Sequence, residues 1–491
     1  MADSDSDEAA RNEYNNYRAP LKGQMENCAI CNKRFTVTGY TRAGPLGGLL
    51  CKECAKELDQ EEGAQKKKKI TAKERRRQIQ SGMLDGIVPG VKSLVTLCVE
   101  TLAKNVDLAD DLGDLPEPLV ERLAAILCKK RLLNSTTFTM FLQPNTEVVT
   151  VFDGARLTSD DYTRIFQLVP NIKKLRLRNA VQFKNKVMDY LIGSPVELES
   201  FSIHGANLID NEKWNEFLTK KGKYLRALKV YYTDGAFGDE QLELLPTACP
   251  NLKRLKISHN QQVTDAGLNH ITKLSNLEHL TLQIYGVTST EPYVNIINSI
   301  GQNLRTLCLD VVRYVEDDVL KAIHENCINL SKLRITDNEY LTDAGFASLF
   351  TNWSNSSLTH IDFRRCRHVD STDPRDNKEN IGFCDAGFEA MMAHSGSTLT
   401  YLNFHDCRHI HSTTFERVFA IGKEYLALKS ADISFVWGVN DFVVGSIFRS
   451  CPNIKTLKVF GNFGVRYVKV PRGKILIGMP TALGMEIEGS D

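Results

Sequence analysis

Apolar residues in this chain fall into triplets of the form L-x-x-L-x-L that return about every 26 residues. They run Ile172, Leu175, Leu177; Leu198, Phe201, Ile203; Leu225, Leu228, Val230; Leu252, Leu255, Ile257; Leu277, Leu280, Leu282; and Leu304, Leu307, Leu309. The series continues as Leu330, Leu333, Ile335; Leu358, Ile361, Phe363; Leu399, Leu402, Phe404; Leu428, Ala431, Ile433; and Ile454, Leu457, Val459. The closing L-x-L has the two-residue period of a strand. A unit this small has too little apolar surface to fold alone, so neighbouring units must stack and bury their triplets in one continuous core. Between triplets the pattern turns helical, as in Thr264-Asp265-Ala266-Gly267-Leu268, Thr342-Asp343-Ala344-Gly345-Phe346 and Cys384-Asp385-Ala386-Gly387-Phe388, where Thr or Asp can cap a helix start. One interval, 41 residues from Ile361 to Leu402, is long. It holds an insertion of about 14 residues including Ser371, Asp373, Pro374, Arg375, Asp376, Asn377 and Lys378, which reads as a loop.

A cysteine closes several of the helical stretches, in Cys249-Pro250-Asn251-Leu252, Cys327-Ile328-Asn329-Leu330 and Cys451-Pro452-Asn453-Ile454. One per repeat, in register, is the placement of a small buried side chain and not of a metal or redox centre. The units resemble the cysteine-containing subtype of leucine-rich repeat. The expected fold is therefore an α/β leucine-rich-repeat solenoid of about 11–12 repeats over residues 146–460. Val149 and Val151 form its first, capping strand, and a cap and tail over 461–491 close the other end.

Positions between the leucines of each strand point to the concave, binding face of such a solenoid. Here they are Arg176, Arg178, Lys229, Tyr231, Lys256 and His259 early, Arg334 and Arg364 later, then Thr281, Cys308, Asp362, Asn403 and Asp432. A basic stripe with tyrosines could follow a phosphate backbone and stack on exposed bases. With no sustained basic run on the strands, protein recognition is the preferred reading.

Upstream, Cys28-x2-Cys31 and Cys51-x2-Cys54 have the spacing of a four-cysteine structural site for one Zn²⁺, a closed shell with no place for catalytic water. Phe35, Tyr40, Leu49 and Leu50 can supply the small core of this domain, residues 25–60. An acidic disordered tail is expected over 1–24 and a basic linker over 61–82. Within the linker, KKKKITAKERRR (66–77) reads as a nuclear localisation signal or a phosphate-contacting arm.

Residues 83–145 are expected to form a helical region. Ser93-Leu94-Val95-Thr96-Leu97-Cys98-Val99-Glu100-Thr101-Leu102 resembles the elongin-binding BC-box, with Ser93, Leu94, Cys98 and Leu102 as contact residues. A helix of this kind lays one apolar edge into a partner's groove, with Leu94 and Cys98 on one face at i and i+4. Leu112, Leu115, Pro116 and Pro118 resemble a cullin box, where a Leu-Pro-x-Pro turn starts the next helix. Glu117 stands where that box carries an apolar residue, which leaves the choice of cullin open. The competing reading of both stretches is an amphipathic hairpin that caps the solenoid.

Composition changes little. Net charge is +1, so no partner follows from charge alone. No apolar run is long enough to cross a membrane, and the acidic first residues do not read as a secretion signal. No Ser-His-Asp spacing, phosphate loop or open metal site points to catalysis. The spacing of His405, Cys407 and His409 follows strand alternation.

In order, KERRRQIQSGMLDG (73–86), SLVTLCVETLAKNV (93–106), LGDLP (112–116) and the cysteine-type repeats resemble the fungal Rad-seven family, the leucine-rich-repeat subunit of global-genome nucleotide excision repair. The resemblance implies a nuclear, non-catalytic scaffold. It implies pairing with a Swi/Snf-type ATPase carrying a RING finger, action at chromatin or damaged DNA, and membership with elongin C and a cullin in a ubiquitin ligase. Two alternatives stay open: an F-box-like leucine-rich-repeat adaptor without a repair role, and a direct binder of damaged DNA. Neither a membrane nor a small-molecule substrate is expected.

Overall fold

The structure is a computed structural model that describes residues 23–44, 47–65, 93–109, 111–113, 115–369, 372–373, 376–481 and 484–488. The acidic tail, the basic run at 66–77, the stretch at 73–86, and Ser371, Pro374 and Arg375 of the insertion lie outside the described residues. Two compact units divide the chain, Met1–Val91 and Lys92–Asp491. No described helix is long and apolar enough to cross a membrane.

In the second unit a 14-stranded sheet runs in strict sequence order. Its strands are β3 (Val148–Val151), β4 (Lys174–Leu177), β5 (Ser200–His204), β6 (Ala227–Thr233), β7 (Arg254–Asn260), β8 (His279–Ile284) and β9 (Thr306–Asp310). There follow β10 (Lys332–Ile335), β11 (His360–Asp362), β12 (Tyr401–Asn403), β13 (Ser430–Asp432), β14 (Thr456–Lys458), β15 (Ile475–Thr481) and β16 (Gly484–Glu488). β3 to β15 are parallel, and β16 turns back antiparallel on β15. The central triplet residues pair in the expected register, Leu175 with Phe201, Leu228 with Leu255, and Ile361 with Leu402 across the insertion. Leu476 extends this ladder one strand beyond Leu457, inside the tail expected as a cap.

The triplets are buried against the helices that follow each strand, and one hydrophobic core runs from Val99 to Met479. Cys249, Cys327 and Cys451 are each 0% exposed, small apolar fillers at the helix ends.

Two polar devices lock several repeats to their neighbours. Buried Asn338 donates its amide to the carbonyls of Val312 and Val315 (2.7 and 2.8 Å) and accepts from the amides of Tyr340 and Leu341. Asn260 does the same three repeats earlier, while Cys366 and Cys407 donate their thiols to Ile335 and Phe363 carbonyls. The second device is a carboxylate ladder. Asp239 accepts from Thr264, Asp265 from Ser289, Asp317 from Thr342, and Asp343 from the amides of Cys384, Ala386 and Gly387. This explains the Asp-Ala-Gly motif beyond capping. A Cβ at Gly345 would collide with the Asp317 carboxylate. At the insertion, Gly382 has φ +94 and a Cβ there would lie 2.6 Å from Arg367 Cα, so the returning chain passes where only glycine fits.

In the first unit a hairpin of β1 (Met25–Asn27) and β2 (Arg34–Thr36) precedes the helix Lys52–Gln65, which runs past residue 60 into the expected linker. Leu50 is buried, with Phe35, Ala55 and Leu58 packed around the cysteines. Tyr40 is 99% exposed and is no part of this core, because it sits in the turn between the knuckles.

Candidate functional site

The hairpin delivers Cys28 and Cys31 on a tight turn, and the start of the helix Lys52–Gln65 delivers Cys51 and Cys54. Their four sulfurs lie within 4.8 Å of one another. The Cys51 amide donates to Cys28 Sγ at 3.3 Å, and Cys31 and Cys51 Sγ are 3.6 Å apart. Amide donation, from Cys31 first, lowers the Cys28 thiol to about 6, whereas hydrogen bonding with Cys31 raises Cys54. Four thiols this close share protons unless a cation replaces them. These four cysteines hold one structural Zn²⁺, and four thiolates close its shell.

At the other end of the linker, Ser93 caps the helix Leu94–Lys104, its hydroxyl accepting from the Thr96 amide at 3.2 Å. The helix has two apolar edges. Val99 and Ala103, followed by Val106, are buried in the core with Leu123, Leu127 and Cys128 of the helix Glu117–Lys129. Arg122 ties the two helices by donating to Thr96 Oγ1 at 2.7 Å. On the opposite edge Leu94 is 76% exposed, and Leu97 and Cys98 stand in solvent beside it. Leu102 faces the hairpin interior and packs against the core.

In the turn that follows, Leu112 is buried and Leu115 is half-buried against the same core. Pro116 is the cap residue of the helix Glu117–Lys129, Pro118 lies in its first turn, and both are exposed. A capping hairpin and an outward-facing box helix are therefore not alternatives. One edge of the helix Leu94–Lys104 packs in the core and the other stands in solvent.

On the face of the sheet away from the helices, register brings Arg176, Ser202, Lys229, Lys256, Thr281, Cys308, Arg334 and Asp362 into one row. Arg178 lies beyond the end of β4, and Lys256 sits over the Tyr231 ring, 5.0 Å from its centre. Arg334 and Arg364 are committed within the row. Arg334 Nε lies 3.2 Å from Asp362, and both guanidinium groups bracket Asp310 and Asp362. Sequence spacing marked the cations, but it could not show that Asp310 and Asp362 reach Arg334 from the strands on either side of it. Along the rim, rings of His204, Tyr232, His259 and Tyr285 lie in a row that periodicity also missed; Tyr232 and His259 are 3.9 Å apart and nearly parallel, and the other neighbours are tilted. Both have positive φ at the strand ends, which turns their side chains out along the rim.

A family model described as the DNA repair protein rhp7 treble clef domain matches residues 22–60, and a leucine-rich-repeat model matches residues 248–271. The DNA repair protein rhp7 of Schizosaccharomyces pombe is 26% identical over 475 residues, covering 95% of this chain and 79% of the relative. For the DNA repair protein RAD7 of Saccharomyces cerevisiae the figures are 24% over 449 residues, 85% and 76%. The chain is homologous to the DNA repair proteins rhp7 and RAD7. A solved structure of yeast Rad7 in complex with Elc1 has the same fold, with a TM-score of 0.66, 21% identity, and coverage of 79% of this chain and 98% of that one. The BTB/POZ domain-containing protein FBL11 of Arabidopsis thaliana, 27% identical over 150 residues, overlaps only 30% of this chain.

Proposed function

We propose that this homologue of rhp7 and RAD7 is a non-catalytic scaffold of nucleotide excision repair, a subunit of a nuclear damage-recognition complex. Through the helix Leu94–Lys104 it binds elongin C, and so joins a cullin-type ubiquitin ligase as its substrate-recognition arm. The carrying observation is the outward edge of that helix: Leu94, Leu97 and Cys98 exposed together while the opposite edge is buried. Isolated exposed leucines are ordinary, but three apolar side chains on one helix edge make the kind of strip that a partner's groove covers. The family relation supports the repair role, and the Elc1 partner of the yeast Rad7 structure supports the class of partner.

In this reading the turn Leu115–Pro118 contributes to the cullin contact through exposed Pro116 and Pro118, while buried Leu112 sets the angle of the turn. A Swi/Snf-type ATPase with a RING finger and damaged DNA or chromatin complete the assembly, as the family resemblance implies. The zinc knuckle is structural. Direct binding of damaged DNA by the strand face is less favoured, since Arg334 and Arg364 are already paired with Asp310 and Asp362. The test is capture of purified elongin C by the full chain. Stoichiometric capture is expected, and its absence overturns the adaptor reading.

A further inference from the structure

On strands β4 to β7 the face of the sheet away from the helices carries Arg176, Lys229, Arg254 and Lys256, with Arg178 just past the end of β4. Among the described residues none of these five has a carboxylate within ion-pair distance. Lys229 and Lys256 are half-buried, and burial followed by repulsion from Arg254, Arg176 and Lys256 weakens the hold of Lys229 on its proton. The side chains keep this arrangement without an internal counter-ion, which marks the patch as a place for an external anion.

Farther along the same row the excess of positive charge ends. Asp310 and Asp362 neutralise Arg334 and Arg364, and Asp432 faces Lys458 and His405. A continuous phosphate backbone laid along the strand ladder would leave the cations and meet these carboxylates. Rings at the rim are likewise unsuited to bases. Tyr232 and His259 already cover each other at 3.9 Å, with His204 and Tyr285 tilted against that pair, so the row offers hydroxyl and ring N–H donors and less open face for stacking. With strands about 4.8 Å apart, β4 to β7 span about 15 Å, the length of about five extended residues.

We propose that this patch is a docking site for a short acidic protein segment, an extended Asp/Glu-rich peptide whose carboxylates lie across Arg176, Lys229 and Lys256 and whose backbone accepts from the rim donors. The site is distinct from the outward edge of Leu94–Lys104, and it stands whichever partner that helix takes.

Fluorescence anisotropy of the full chain tests it, with a short labelled peptide of alternating Asp and Glu, a neutral Asn/Gln peptide, and an oligothymidylate of equal contour length. The acidic peptide is expected to bind in a salt-sensitive way and the neutral one not to bind. Lys229→Gln with Lys256→Gln is expected to weaken binding about tenfold, while Lys186→Gln on a distant helix changes nothing. Neutralisation relieves repulsion, so the double variant should melt no lower than the parent. Arg176→Gln with Arg178→Gln, both exposed, gives a second reading that does not depend on the half-buried lysines. Acidic-peptide binding unchanged in both double variants overturns the proposal. So does equal binding of the neutral peptide, or tighter binding of the oligothymidylate through the same residues, which would make the patch a nucleic-acid site.

Discussion

Replacing Leu94 and Cys98 with alanine separates the two edges of the helix Leu94–Lys104. Leu94 is 76% exposed and Cys98 is also exposed, so neither change removes packing from the core and stability should move by no more than about 0.5 kcal/mol. Binding is another matter. Burying a leucine side chain contributes about 1.5–3 kcal/mol, and the smaller thiol adds about another 0.8 kcal/mol. Together these amount to about 2–4 kcal/mol, or a rise in Kd of about 30- to 700-fold. Calorimetric titration of purified elongin C into the parent and the double variant reads this directly, with thermal melts run alongside. By contrast, Val99→Asp, at 6% exposure on the inner edge, should lower the melting temperature through the core. A Kd for the Leu94→Ala, Cys98→Ala chain equal to that of the parent would refute the assignment of the outer edge as the binding edge.

Chelation should unfold residues 23–65 while leaving the melt of the Lys92–Asp491 unit unchanged, and purified protein should contain one zinc per chain; a zinc-free chain with the same melt contradicts the structural site. Asn338→Ala strands four buried backbone groups and should cost about 3–5 kcal/mol in urea unfolding, against less than about 1 kcal/mol for exposed Asn251→Ala, which loses one bond to the Lys223 carbonyl. Equal urea midpoints for the two would sink the account of the inner ladder. Burial holds His394 below the ordinary histidine range, and its neutral ring accepts from the Ser395 hydroxyl while donating to the Asn355 carbonyl. The unfolded chain therefore binds the proton first. The His394 contribution to stability should be full above the ordinary histidine value of about 6.5 and fall as pH drops through it, by at most about 1.4 kcal/mol per pH unit. His394→Gln should flatten that slope, and an unchanged slope between neutral and mildly acidic pH would show that His394 is not its source.

Much of this architecture was legible because an L-x-L strand has to bury the same two positions in every repeat. Leu228 and Leu255 could therefore be aligned from spacing alone. The zinc ligands were legible for the same reason, since two Cys-x2-Cys turns leave few other uses for four thiols. What spacing did not show was pairing across repeats. Asp317 reads as an ordinary helix-start acid, and only the fold reveals that its carboxylate belongs to Thr342 of the next repeat. Arg334 and Arg364 read as free cations for the same reason, since Arg334 pairs with Asp362 and Arg364 with Asp310 from other repeats. In the box helix the large leucines pointed to one apolar face. The inner face was hidden because Val99 and Ala103 are small and contribute less to the pattern. Tyr40 illustrates the opposite error, an aromatic residue counted as core that the Gly-flanked turn places in water.

The helix Leu94–Lys104 shares a single core with the first strands through Val99, Ala103, Leu127 and Val149. A ligase arm seated on its outer edge would be mounted on the receptor with no joint between them. The direction from arm to target is then fixed by packing, and ubiquitin transfer would favour lysines by their position in space more than by the sequence around them. Loosening that packing, as at Val99 or Ala103, would free the direction and change which lysines are modified, even with both binding surfaces intact.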